Sequence, residues 1–192
     1  MTSPSVPRKS QADLWPLIHR ERTVLAEDLA GITEERWATP SLCSDFSVRE
    51  VLAHLTASAS LTGFQWFAGV VRCRFDFDAQ VAMRLAEHLG DSGAGTLARF
   101  RSAVDSTTSP PLPRLAILGE VIVHGEDIRR PLGLANERPV DLLTRVAEYY
   151  RGTDQVVVAK SRVRDLRLRA TDGPFLVGDG PEVRGPPTAP SW

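Results

Sequence analysis

The stretch from Leu115 to His124 is apolar apart from one carboxylate, Glu120, and the imidazole of His124 itself. At helical spacing, apolar side chains such as Ile117 and Val121 flank these two polar residues, and others cover the opposite surface. A helix that is apolar nearly all round is buried in a protein core. We therefore expect a helical body in which this helix is central and Glu120 is buried.

A buried carboxylate needs a partner, because an unpaired buried charge costs several kcal/mol. No Lys or Arg lies four residues before or after Glu120, whereas His124 lies one helical turn further on. A Glu and a His at this spacing can bind one metal ion. His54, inside the uncharged stretch Val51–Leu55, is the natural third ligand. Two histidines and one carboxylate leave coordination positions open, as in catalytic metal sites.

Simpler interpretations remain open at this point. His54 could be an ordinary core histidine, since a lone histidine on an apolar face is more often that than a ligand. Glu120 and His124 could form only an ion pair, and an arginine from another helix could neutralise Glu120.

Two further residues have two interpretations each. Asp127 lies one turn after His124 and could orient it from behind, or it could belong to a surface cluster of ion pairs with Arg129 and Arg130, which is the interpretation we favour from the sequence. Cys43 precedes a predicted helix start, where a thiol pKa would fall. No base lies beside it in the sequence, so we expect a plain buried or half-buried cysteine rather than a nucleophile.

The apolar periodicity of the chain predicts six helices, at about residues 11–30, 47–70, 78–89, 96–104, 115–130 and 139–151. Ser47 and Glu50 have the spacing of a capping box at the start of the second helix. Beyond residue 153 the period becomes strand-like, with strands expected at 163–170 and Phe175–Val177 around the turn Asp172-Gly173. We therefore expect a disordered N-terminal arm over residues 1–10, a helical bundle over 11–153, and a Gly- and Pro-rich tail with a β-hairpin over 154–192.

Composition excludes several classes of function. The net charge of −1 gives no indication of nucleic acid or an anionic membrane as a partner. No run of about 18 apolar residues could span a bilayer, and the N-terminus lacks the apolar segment of a signal peptide. Two cysteines are too few for a disulfide scaffold. These features favour a cytoplasmic location.

Residues 37–55, which include Trp37, Cys43 and His54, resemble the N-terminal signature of the mycothiol-dependent maleylpyruvate isomerase family. Residues 120–131 are similar to the second signature of that family, and residues 178–185 to its C-terminal segment. The resemblance implies a mainly α, DinB-like four-helix bundle and an actinobacterial origin. It also implies mycothiol as a thiol cofactor and a divalent metal, usually zinc, held by the positions that are here His54, Glu120 and His124.

The first hypothesis for function is a mycothiol-dependent, divalent-metal transferase or isomerase that acts on a small electrophilic substrate. The isomerase has a larger C-terminal domain than residues 154–192 could form, which motivates a second hypothesis: a protein that binds metal and a small ligand without turnover, such as a sensor, carrier or resistance factor. The third is a metal-free helical interaction module, with a homodimer as one assembly to consider.

Overall fold

The computed structural model describes residues 13–43, 45–154 and 159–186. The expected disordered arm at residues 1–10 and the last residues of the tail, 187–192, lie outside these ranges. Within them the chain forms eight α-helices, one short 3-10 helix over Glu34–Ala38 and three short β-strands. The elements are α1 (Trp15–Asp28), α2 (Val48–Ser60), α3 (Gly63–Arg72), α4 (Phe77–His88), α5 (Gly93–Ser102), α6 (Arg114–Arg129), α7 (Val140–Arg151), α8 (Ala159–Val163), β1 (Arg167–Ala170), β2 (Leu176–Val177) and β3 (Glu182–Gly185).

Helix α2 begins at the predicted capping box, which is confirmed. The Ser47 side chain accepts a hydrogen bond from the backbone N–H of Glu50, and the Glu50 carboxylate accepts one from the backbone N–H of Ser47 at 2.7 Å. The prediction that this helix continues to Val70 is wrong. Thr62 forms a second capping box with Gln65 and starts α3, so the chain becomes extended at the intervening residue, Leu61, and changes direction.

Four helices, α1, α2, α5 and α6, surround the central apolar cluster. Leu25, Leu52, Phe100 and Val121 are members of this cluster, one from each helix. Full burial of each such side chain contributes about 1.5–3 kcal/mol. The mainly helical fold class predicted from the periodicity is confirmed.

Helix α6 has apolar neighbours on two sides, which explains its nearly continuous apolar sequence. Val121 and Ile128 contact the central cluster, whereas Ile117 and Ile122 belong to a second cluster with α1 and α7. Gly119 allows α7 to approach closely, because a Cβ at this position would lie 2.5 Å from Cε2 of Tyr150. The helix that carries Glu120 is therefore fixed between its neighbours.

The C-terminal part forms a three-stranded sheet in the order β2-β1-β3. The predicted hairpin is present: β1 pairs antiparallel with β2, with Leu168 opposite Val177. The first strand begins at Arg167 rather than at residue 163, where the chain is still helical. Strand β3, which pairs parallel with β1, was not predicted. Leu168 and Phe175 bury one face of the sheet together with Ala147 of α7.

Among the described helices, none combines the length and the apolar character needed to span a bilayer.

Candidate metal centre

The structure brings together the three side chains proposed as metal ligands from the sequence. His54 lies in the middle of α2, and Glu120 and His124 lie one turn apart on α6. His54 Nε2 is 3.2 Å from Glu120 Oε1, and the two imidazole rings meet edge to face with centroids 5.2 Å apart. One ligand atom from each of the three residues lies within 4.8 Å of the others. The convergence of two distant chain segments is thus a feature of the fold.

The Glu120 carboxylate has a different partner for each oxygen. Its Oε1 faces His54, and its Oε2 accepts a hydrogen bond of 2.6 Å from the hydroxyl of Ser58. Ser58 lies one turn after His54 on α2, and the sequence reasoning did not assign it a role. The spacing of four residues between them was the available signal.

The histidine and the carboxylate shift each other's pKa. Burial alone would raise the pKa of Glu120, but the hydrogen bond and charge of His54, with smaller effects of His124 and Ser58, bring it below its ordinary value. Burial alone would lower the pKa of His54, but Glu120 raises it above its ordinary value. Without a metal, the pair therefore favours the imidazolium–carboxylate form.

Arg22 of α1 is the arginine from another helix that the sequence left open as a partner for Glu120. It is 1% exposed, and its Nη1 donates to the carbonyl of Ser106 at 2.8 Å. Burial lowers the pKa of Arg22, and the negative charge of Glu120 partly offsets this effect. The two groups therefore interact through their charges, while Nη1 of Arg22 is hydrogen-bonded to Ser106.

Asp127 lies behind His124, as one of the two interpretations anticipated. His124 Nδ1 is 3.0 Å from Asp127 Oδ2, and the aspartate side chain is 6% exposed. With the proton on Nδ1 and shared with Asp127, the lone pair of His124 Nε2 is available to bind a metal ion. The alternative of a surface ion-pair cluster is wrong, because Arg129 is 1% exposed and its Nε donates to Asp28 of α1 at 2.6 Å.

Cys43 forms a second group of possible ligands with His124 and Asp127, again within 4.8 Å of one another. Burial raises the pKa of the Cys43 thiol, and the charges of Asp127 and Asp45 raise it further. The expectation of a lowered thiol pKa near the start of α2 is therefore wrong, because burial and two carboxylates act in the opposite direction. A protonated thiol is a weak ligand and a weak nucleophile, so the group of His54, Glu120 and His124 is the stronger candidate.

A pocket of about 160 Å³ opens beside this group, and His54, Ser58 and Glu120 form one of its walls. The break between α2 and α3 places Trp66 on another wall. The remaining lining is mostly apolar and comes from α2, the residue that follows it, α4 and the segment before α6: Ala57, Leu61, Phe77, Gln80, Val81, Arg84, Pro110 and Leu112. A small organic molecule in this pocket would touch the carboxylate of Glu120 directly.

Residues 18–110 match the sequence model of a family described as the mycothiol maleylpyruvate isomerase N-terminal domain. This part, just under half of the chain, is similar to that family. The match confirms the resemblance of residues 37–55 to this family and includes His54 and Ser58. It ends before Glu120 and His124, so the similarity of residues 120–131 and 178–185 stays a prediction. No curated protein and no solved structure matches the chain.

Proposed function

We propose that the protein binds a divalent metal ion, with zinc as the expected ion, through His54, Glu120 and His124. We further propose that it uses the ion to activate the thiol of mycothiol for transfer to a small electrophile, or for isomerisation of one. The observation that supports the proposal is the convergence of two imidazoles and one carboxylate next to an apolar pocket. Similarity to the mycothiol-related family supports the identity of the thiol.

The distance between two of the three donor atoms supports a divalent ion. Ligands at about 2.0–2.2 Å from a tetrahedral centre lie roughly 3.3–3.6 Å from one another. The 3.2 Å between His54 Nε2 and Glu120 Oε1 is close to this spacing. Their side chains, 32% and 13% exposed, are buried enough to be held in place and open enough to exchange a ligand. A divalent ion held there would lower the pKa of a thiol that binds it.

The residues around the ligands hold them in place. Ser58 donates to one oxygen of Glu120, which turns the other oxygen toward His54. Asp127 accepts from Nδ1 of His124 and so presents Nε2 to the site. One carboxylate and two neutral imidazoles would leave a site with a divalent ion positively charged, and this favours binding of a thiolate. The apolar walls of the pocket keep water away from the reacting thiol.

Metal content provides the first test. Protein purified without chelator and without a metal-affinity tag, then reconstituted with zinc, is expected to hold a stoichiometric amount of metal by mass spectrometry. His124→Ala should lose it, whereas His88→Ala, at the end of α4, should keep it. Wild-type protein that takes up no metal would leave His54 and Glu120 as an ion pair, and the chain would then be a helical interaction module.

Thiol chemistry provides the second test. Metal-loaded protein is incubated with mycothiol and a panel of activated alkenes and epoxides, and thiol consumption is compared with that caused by free zinc. Consumption above this background that disappears in His124→Ala supports a transferase. An isomerase regenerates the thiol, so cis–trans isomerisation of the alkenes is measured in the same samples. Metal binding with neither thiol consumption nor isomerisation across the panel would contradict both the transferase and the isomerase and favour a protein that binds without turnover.

A further inference from the structure

The outward face of α3 is apolar, although the exposed face of a surface helix is normally polar. Phe64, Phe67 and Val71 follow one another at positions i, i+3 and i+7 and are 81%, 59% and 51% exposed. The opposite side of the helix buries Gly69 and Val70 against the rest of the protein. Helix α3 thus has an apolar face on both sides, and only one of them is covered.

The turn after α3 extends this apolar face. Arg74 and Phe75 both adopt positive φ angles, of 54° and 66°, which bulky residues rarely adopt. Phe75 is 66% exposed there, and Phe77, at the start of α4, is 57% exposed. Five of the seven large exposed apolar side chains in the described part of the chain thus lie within residues 64–77. We call the exposed surface of this segment the 64–77 face.

The 64–77 face has the size of the largest apolar patches found on protein surfaces, which are often functional. With about 200 Å² for a fully exposed phenylalanine, the five side chains expose roughly 600 Å² of apolar surface. This is at the upper end of the range for patches on monomeric proteins, about 300–600 Å². A standard interface buries about 800 Å² on each partner, including a polar rim. The 64–77 face is therefore large enough for the centre of a stable interface.

The charges around the face suit a partner with the same surface. Arg72 and Arg74 lie at one end of it, and Asp76 and Asp78 follow immediately, all four being exposed. In a two-fold interface, residue i of one copy meets residue j of the other, and j meets i. A two-fold axis near Phe75 would therefore bring the arginines of each copy to the aspartates of the other. The balance of the two signs is unsuited to an anionic membrane or nucleic acid.

We propose that the 64–77 face binds a second copy of this chain in a two-fold dimer. The proposal does not depend on metal binding. Phe77 belongs both to this face and to the lining of the pocket, so the second copy would also cover part of the pocket entrance.

Sedimentation velocity and light scattering test the proposal. The wild-type chain is expected to be a dimer at micromolar concentration, and Phe67→Glu and Val71→Glu should each weaken self-association at least about tenfold. Leu176→Glu, at an exposed leucine of β2, is the matched control and should leave the dimer intact. Circular dichroism checks that every variant is folded. A monomeric wild type, or a dimer that persists in Phe67→Glu, would overturn the proposal.

Charge reversal tests the two-fold arrangement. Arg72→Asp and Asp78→Arg should each weaken the dimer, because each places like charges opposite one another twice, and the double variant should restore it. Failure to restore it would overturn this arrangement. Flotation with vesicles of anionic lipid is the remaining arm: a monomer that binds the vesicles through Phe67 would assign the face to a lipid surface instead.

Discussion

The hydrogen bond between His124 and Asp127 allows a sharp prediction for metal binding. The Nδ1–Oδ2 distance is 3.0 Å, and the aspartate is almost completely buried. Removal of such a partner of a metal-binding histidine typically weakens metal affinity 10- to 100-fold, or about 1.4–2.8 kcal/mol. Asp127→Asn keeps an acceptor for the Nδ1 proton but removes the charge, so we expect a loss near tenfold. Asp127→Ala removes the acceptor as well, so we expect a loss near 100-fold.

The assay is competition for zinc with a chromophoric chelator at constant pH. Asp141→Asn, at an exposed position in the first turn of α7, is the matched control and should bind zinc like the wild type. An affinity of Asp127→Ala within about twofold of the wild type, with the fold intact, would refute the reasoning.

The same substitution has a second consequence that needs no metal. The charge of Asp127 helps to raise the pKa of the Cys43 thiol. Asp127→Asn should therefore lower this pKa, and the pH profile of alkylation of Cys43 by iodoacetamide should move to lower pH. A purely structural role of Asp127 would not move the profile in this direction.

Two further predictions concern stability. In metal-free protein the pKa of Glu120 is lowered, so the contribution of this carboxylate to stability should be lost as pH falls through its folded-state pKa. The pKa of His54 is raised, so the contribution of this imidazole should be lost as pH rises through its folded-state pKa. Urea unfolding across this window should show a maximum between the two pKa values, and Glu120→Gln should flatten it. Gly93→Ala should destabilise the fold by about 1–3 kcal/mol, because its Cβ would lie 1.9 Å from Trp37 Cδ1. Gly31→Ala is the control: a Cβ there would have nothing within 4 Å, so it should be neutral or slightly stabilising. Thermal melts of both variants and the wild type measure the difference.

The helical part of the fold could be predicted because its signals are local. The capping box at Ser47 and the apolar period of residues 115–130 each act within a few turns of one helix. The start of α3 was equally local, since Thr62 and Gln65 have the same spacing as Ser47 and Glu50, but the apolar residues on both sides of the break concealed it. Strand β3 could not be predicted in this way, because it depends on pairing with β1 across the chain.

For the site, the sequence indicated which residues must find partners but not which partners they find. A carboxylate inside an apolar helix needs compensation, and this argument identified Glu120 from its own helix. The hydroxyl of Ser58 and the charge of Arg22 come from other helices, so only the tertiary structure shows their approach. The pKa of Cys43 was predicted with the wrong sign for the same reason, since its burial and then the charge of Asp127, which belongs to a helix distant in sequence, both depend on the tertiary structure.

The break between Ser60 and Gly63 places the candidate ligand His54 and the pocket residue Trp66 on two different helices. His54 belongs to a helix held on several sides by the core, whereas Trp66 belongs to a separate segment with its own start signal. Under the proposed function, substitutions in this segment would therefore alter which compounds the pocket accepts without disturbing the proposed ligand atoms.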